Sequence, residues 1–375
     1  MHTMKRRIIP DFPGCRTIDR YILGKFLRTY IFGLIAMVIV IVIFDYSEKV
    51  DDFMEKGAPT EAIIYNYYLN FIPYIVNQFS ALFTFIAVIF FTSKMAMQTE
   101  IVAVLSGGVS FRRLLWPYFL GSLIIAATSL ALNLWVIPVS QGESNEFLKK
   151  YMKKNPQLRY DPVVVQEIAE NEYLIIQGYN PANELVPAVY HEVYDENKNL
   201  IYKQEAKNVR INEQTGEWTA DRSKVYIRIG ENEYTIENRM FYNEKLDIDV
   251  RDLGQIKQVV KTMTIEELNA YREEHVRRGS KSVAIIDVER HTRFSYPLST
   301  FILTIIGVCL SSRKVRGGIG VHIGLGITLC FSYIMLGRVS EQIAMSGSIE
   351  PWIGVWLPNM IFAVIAIFLY FKAQK

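Results

Sequence analysis

A chain of 375 residues that is 50% hydrophobic, with a mean hydropathy of +0.14, is too apolar for an ordinary soluble protein of its size. Its formal net charge of +3 excludes the bulk basicity of a nucleic-acid binder, so no nucleic-acid partner is expected. Of the three cysteines, Cys15, Cys309 and Cys330, none lies in the long polar middle, which excludes a disulfide framework there.

The N-terminus is basic, but no short apolar run with a small-residue cleavage site follows it. No cleavable signal peptide is therefore expected, and the first span serves as the targeting signal. A bilayer core about 30 Å thick needs about 20 mostly apolar helical residues. Six runs meet or approach that length: Phe26–Phe44, Ile63–Phe91, Leu114–Ile137, Phe294–Leu310, Ile319–Leu336 and Trp352–Phe371. The fourth is short and rich in Ser and Thr. A polar stretch of domain size, Ser140 to Arg290, separates the third run from the fourth. The expected plan is three spans, one large insert and three spans.

Lysine and arginine in short loops set orientation. The N-terminal segment carries Arg20, Lys25 and Arg28 among others. The loop after the second span carries Lys94, Arg112 and Arg113, and the loop after the fourth carries Arg313, Lys314 and Arg316. With six spans these lie on one side, so both termini are expected in the cytoplasm and the insert outside. The basic cluster Arg277, Arg278, Lys281, Arg290 and Arg293 runs against the rule, but it follows a long exported domain, where the rule is weak.

Within the insert, β-forming runs alternate with turn signals at Tyr179-Asn180-Pro181, Glu196-Asn197-Lys198-Asn199 and Thr215-Gly216. That spacing fits a sandwich or an open barrel. Thr264 and Glu267 have the spacing of a capping box, so a helix is expected to begin there. In the fifth span Gly320 and Gly324 stand four apart, with Gly326 near them. Such glycines permit close helix packing, either within this chain or against a partner.

Thr92–Pro117 is a short stretch caught between two apolar runs. Read as a helix from about Met95 to Ser106, it has an apolar side of Met97, Ile101, Val104 and Leu105. Beside that side Ala96, Ala103 and Gly107 form a stripe of small residues, with Glu100 at its border and Gly107-Gly108 as the terminator. Two readings fit: a surface turn joining two spans, or a docking element whose one carboxylate makes a specific charged contact.

Catalytic and ligand motifs are not seen. There is no Walker A sequence, GxSxG, HExxH or Cys/His metal spacing, so no catalytic residue, metal or cofactor is expected. Few ionisable residues lie in the spans, which gives no ion-coupling relay. Energy for any movement of a substrate would have to come from a partner.

Layout and local sequence together resemble the LptF/LptG permeases, the membrane subunits of the lipopolysaccharide-export ABC transporter of Gram-negative bacteria. The resemblance is carried by Ile18-Asp19-Arg20-Tyr21-Ile22, by Glu100-Ile101-Val102-Ala103 with Gly107-Gly108-Val109-Ser110, by Met263–Gly279, by Arg316-Gly317-Gly318 and by Trp356-Leu357-Pro358-Asn359. It implies a polytopic α-helical membrane protein with six transmembrane helices and an inserted periplasmic β-jellyroll domain. The expected parts are a transmembrane half at 1–138 with a coupling helix at about 95–108, the β-domain and its return helix at 139–290, and a second transmembrane half at 291–375.

The resemblance also implies an inner-membrane location and a set of partners: a paralogous permease, a cytoplasmic LptB-type ATPase dimer, periplasmic LptC- and LptA-type jellyroll proteins, and lipopolysaccharide. It places Glu100, Ala103 and Gly107 at the ATPase-coupling contact. Some members carry a lipid-contacting lysine at the outer end of span one. Here Lys49, in an acidic setting, is the only candidate, and the role is not carried over. Because the lipid head is anionic, Arg290, Arg293 and Arg338 at the expected outer mouth are candidate contacts. The rival reading is a membrane-anchored periplasmic sensor or assembly scaffold without transport, which co-purification with an ATPase would separate from a transporter.

Overall fold

Among the described residues six helices are long and apolar enough to cross a membrane. The structure, a computed structural model, describes residues 17–152, 164–178, 185–212, 217–228, 234–239, 242–245, 256–277, 280, 282–313 and 318–373. The spans are α1 (Thr17–Glu55), α2 (Thr60–Met97), α4 (Phe111–Tyr151), α7 (Val283–Ser311), α8 (Gly318–Met345) and α9 (Pro351–Ala373). A short helix α3 (Glu100–Ser106) joins α2 to α4, while α5 (Ile256–Thr262) and α6 (Ile265–Arg277) precede α7. Of the expected features, Cys15, the turns at Tyr179-Asn180-Pro181 and Thr215-Gly216, and Arg278, Gly279, Lys281, Lys314, Arg316 and Gly317 lie outside the described residues.

The third span runs further than its apolar stretch suggested, to Tyr151. Pro138 in it has no N–H to donate, and its ring would clash with the carbonyl four residues back. A π-helical turn, Leu132–Val136, lies there and widens the helix at that point.

The short Ser/Thr-rich fourth run becomes part of α7, one of the two most buried spans. In both α2 and α7, 61% of the apolar stretch is covered by protein. Ser295, Ser299, Thr300 and Thr304 of α7 are all buried, so its weak hydropathy reflects a protein environment rather than lipid. Polar side chains stitch the bundle. Asn77 donates to Asn133 at 2.8 Å and accepts from Ser129 at 2.6 Å. Asn359 of α9 donates to the Ser295 carbonyl at 3.0 Å and to its Oγ at 2.8 Å, and accepts from Tyr333 at 2.9 Å. Inside a bilayer no water competes for such groups, so they pair across helices.

The fifth-span glycines divide. A Cβ on Gly326 would fall 2.2 Å from the Cδ1 of Ile89, so this glycine lets α8 close on α2. Gly320 and Gly324 meet nothing within 4 Å. With Thr328 and Ser332 they form an exposed stripe at four-residue spacing.

The described residues of the insert form an eight-stranded antiparallel sheet: β1 (Val164–Ala169), β2 (Glu172–Gln177), β3 (Leu185–Tyr194), β4 (Leu200–Asn212), β5 (Glu217–Ala220), β6 (Ser223–Arg228), β7 (Tyr234–Arg239) and β8 (Tyr242–Lys245). Leu174, Ile176, Val209, Ile211, Trp218 and Ala220 alternate along their strands and share one buried core, as a sheet with one covered face requires. The long β4 takes β3 on one edge. On the other it takes β6 at Tyr202–Ala206 and then β5 at Arg210–Asn212. The sheet therefore forks along β4, and Asn208, with φ of +53°, sits between the two pairings. Asparagine tolerates that left-handed conformation better than most residues.

The expected capping box is present at α6: Thr264 N–H donates to Glu267 Oε2 at 2.8 Å, and Glu267 N–H donates to Thr264 Oγ1 at 3.3 Å. Two members of the basic cluster that opposed the orientation rule are paired within the chain, Arg290 with Asp287 and Arg293 with Glu289. Arg272 and Arg290 both pair with Asp287, at 2.6 and 3.3 Å. The hydrogen bond to Asp287 holds the Arg272 guanidinium above its ordinary range, so it stays charged.

Candidate functional site

The stretch read as one helix from Met95 to Ser106 is two. Met95–Met97 finishes α2, the chain breaks at Gln98 and Thr99, and α3 starts afresh at Glu100. Thr99 has φ of +63°, a left-handed conformation that is unfavourable for a β-branched residue. After Ser106 the chain turns again through Gly108 at φ +84°.

The break resets the helical phase and corrects the predicted faces. Ala96 is buried in α2 and shares no stripe with Ala103. Only Ile101 of α3 is fully buried, in a core that includes Phe26, Phe91 and Tyr118. Met97 and Leu105, expected on the apolar side, are exposed, as are Val102, Ala103 and Gly107. The short helix thus turns most of its surface away from the chain.

Glu100 is tied to α1. Tyr21 donates to its two carboxylate oxygens at 3.1 and 3.0 Å, and Lys25 Nζ does so at 3.2 and 3.1 Å. The Lys25 ammonium also sits over the Tyr21 ring, 4.2 Å from its centroid. Two residues before Tyr21, Asp19, its side chain only 2% exposed, accepts a bidentate pair from Arg113 at 2.8 and 2.5 Å. The geometry suits planar carboxylate recognition by a guanidinium. Arg113, counted in the sequence only as a charge that sets orientation, is also an internal brace between α1 and α4.

This arrangement holds no nucleophile–base pair. Among the described residues no group of three His, Cys, Asp or Glu side chains is placed to bind a metal. What it offers is mechanical: an exposed helix between two backbone breaks, gripped by charge at one end.

The family profile of the lipopolysaccharide export system permeases LptF/LptG matches residues 20–372. The chain belongs to that family. Among curated proteins no significant match was found.

In this LptF/LptG permease the three arginines considered for the lipid head are differently placed. Arg293 is a correction: its side chain is 3% exposed, it pairs with Glu289 at 3.2 Å and it donates to the Val260 carbonyl at 2.8 Å. Folding α5 against the start of α7 buries it, and it offers no surface to a ligand. Arg290 is half-buried beside Asp287. Arg338 keeps the most open guanidinium. It stands 3.7 Å from Glu341 and lines a cavity of about 70 Å³ with Gln78, Tyr296, Tyr333 and Glu341. Lys49 is sealed by Asp45 and the Tyr67 hydroxyl, which accounts for its lying ready for no outside partner.

Tyr21, Lys25 and Asp19 were not singled out as site residues by the sequence. Lys25 counted only as a topogenic charge. Its partner lies 75 residues away, so no local spacing reveals it.

Proposed function

We propose that this permease is one of a pair of LptF/LptG-type subunits that, driven by an LptB-type ATPase dimer, extracts lipopolysaccharide from the inner membrane. Its β-domain is a periplasmic jellyroll that hands the lipid to LptC- and LptA-type proteins, and both termini are cytoplasmic. The observation that carries the reading is α3: a separate short helix between the second and third spans, exposed along Val102, Ala103, Leu105 and Gly107 and headed by Glu100. Two further features support it. The fork along β4 suits an opened sheet, and the small-residue stripe Gly320, Gly324, Thr328 and Ser332 suits close approach by a second permease. Arg338 and Arg290 are the proposed contacts for the anionic head.

Purification of the permease pair with its ATPase, followed by ATP-dependent release of lipopolysaccharide from vesicles, tests the proposal. Glu100→Lys is expected to weaken ATPase retention about tenfold or more, the size of one charge-assisted hydrogen bond. Normal retention and normal release in that variant would return α3 to a connecting turn. Absence of any ATPase from the wild-type complex would favour a sensor or scaffold.

A further inference from the structure

Two backbone breaks flank α3, at Thr99 and at Gly108. A helix hinged at both ends passes force to its surroundings through side chains. Ile101 enters the apolar core, and Glu100 engages Tyr21 and Lys25. Those two residues are four apart on α1, hence on one face, and the ammonium over the Tyr21 ring makes the three side chains one unit. At the start of α4 Arg113 holds Asp19, two residues before Tyr21 on α1. The first turns of α1 are thus fastened to both α3 and α4.

Past Phe26 that changes. Only 11% of the apolar stretch of α1 is covered by protein, the least of any span, and Phe32, Ile35, Ile39 and Phe44 are exposed. The helix is gripped again near Lys49, where Asp45, Tyr67 and Phe53 pack. With so little of its middle covered by protein, α1 meets little packing resistance when its first turns are displaced, and the grip near Lys49 serves as the pivot.

We propose that Tyr21 and Lys25 are positioning residues: they hold the Glu100 carboxylate and convert a displacement of α3 into a displacement of α1. The inference rests on α3 being the coupling element. It adds that Glu100 works inward, on span one, as well as outward. Without the tie, α3 swings on its two breaks while the bundle stays still.

The test uses the permease pair with its ATPase in vesicles, comparing Lys25→Met with Lys25→Arg. Lys25→Met is expected to keep ATPase retention and ATP hydrolysis near the parent's while lipid released per ATP falls roughly fivefold, and Lys25→Arg is expected to recover most of it. Spin labels at Arg28→Cys on α1 and Ser106→Cys on α3, both exposed positions and neither among the residues assigned to the ATPase contact, report the tie directly. The parent should give one narrow distance distribution with and without ATP, and Lys25→Met a broadened one. An unchanged distribution or unchanged lipid per ATP in Lys25→Met overturns the proposal. Loss of ATPase retention in that variant overturns it too, because Lys25 would then belong to the docking contact. If the parent complex releases no lipid with ATP, the export reading fails, and the spin-label result still judges the tie.

Discussion

Spans α7 and α8 are close in hydropathy, and each carries small and hydroxylated residues, yet 61% of the apolar stretch is buried in α7 and only 17% in α8. In α7 Ser295, Ser299, Thr300 and Gly307 face protein, and the helix packs against α2, α4 and α9. In α8 the stripe Gly320, Gly324, Thr328 and Ser332 faces outward, and Thr328 and Ser332 donate back to their own helix at 3.0 and 2.8 Å. Close approach in a bilayer depends on small residues, because lipid gives no hydrophobic drive for helices to associate. In α7 this capacity is used within the chain. In α8 the outward stripe does not use it within the chain.

That contrast can be broken by substitution. The largest effect is expected from Gly307→Val: a Cβ there lies 2.9 Å from Val88 Cγ1 and 3.2 Å from the Phe85 ring. Overpacking of this kind costs about 3 kcal/mol, measurable as loss of folded permease in a denaturation series. Ser299→Leu, at a fully buried position, should cost about 1–3 kcal/mol in the same assay. A smaller loss is expected for Asn359→Leu, which removes the polar tie from α9 to Ser295 and Tyr333. Interhelical hydrogen bonds in membranes average about 0.6 kcal/mol and reach about 1.7, so about 1 kcal/mol is expected for this double tie. The smallest effect on the isolated chain is expected from Gly324→Leu, within about 0.5 kcal/mol, because nothing lies within 4 Å. The same variant should lose the partner permease on purification. Stable folding together with normal pairing would mean that the α8 stripe faces lipid.

The apolar runs fixed where helices cross, since bilayer thickness and backbone hydrogen bonding in hydrocarbon are constraints that act locally along the chain. The capping box at Thr264 and Glu267 and the β-character of the insert were legible for the same reason: each is written in neighbouring residues. The presence of a short helical connection after the second span, ending at Gly107-Gly108, could also be read. Tertiary structure decided the rest. It broke that segment at Thr99, placed Glu100 against Tyr21 and Lys25, buried Arg293 under α5, and put α7 inside the bundle while leaving α8 at its edge. These outcomes depend on which surfaces meet across many residues of sequence, and side chains that look alike in composition acquire different roles from the neighbours that packing supplies.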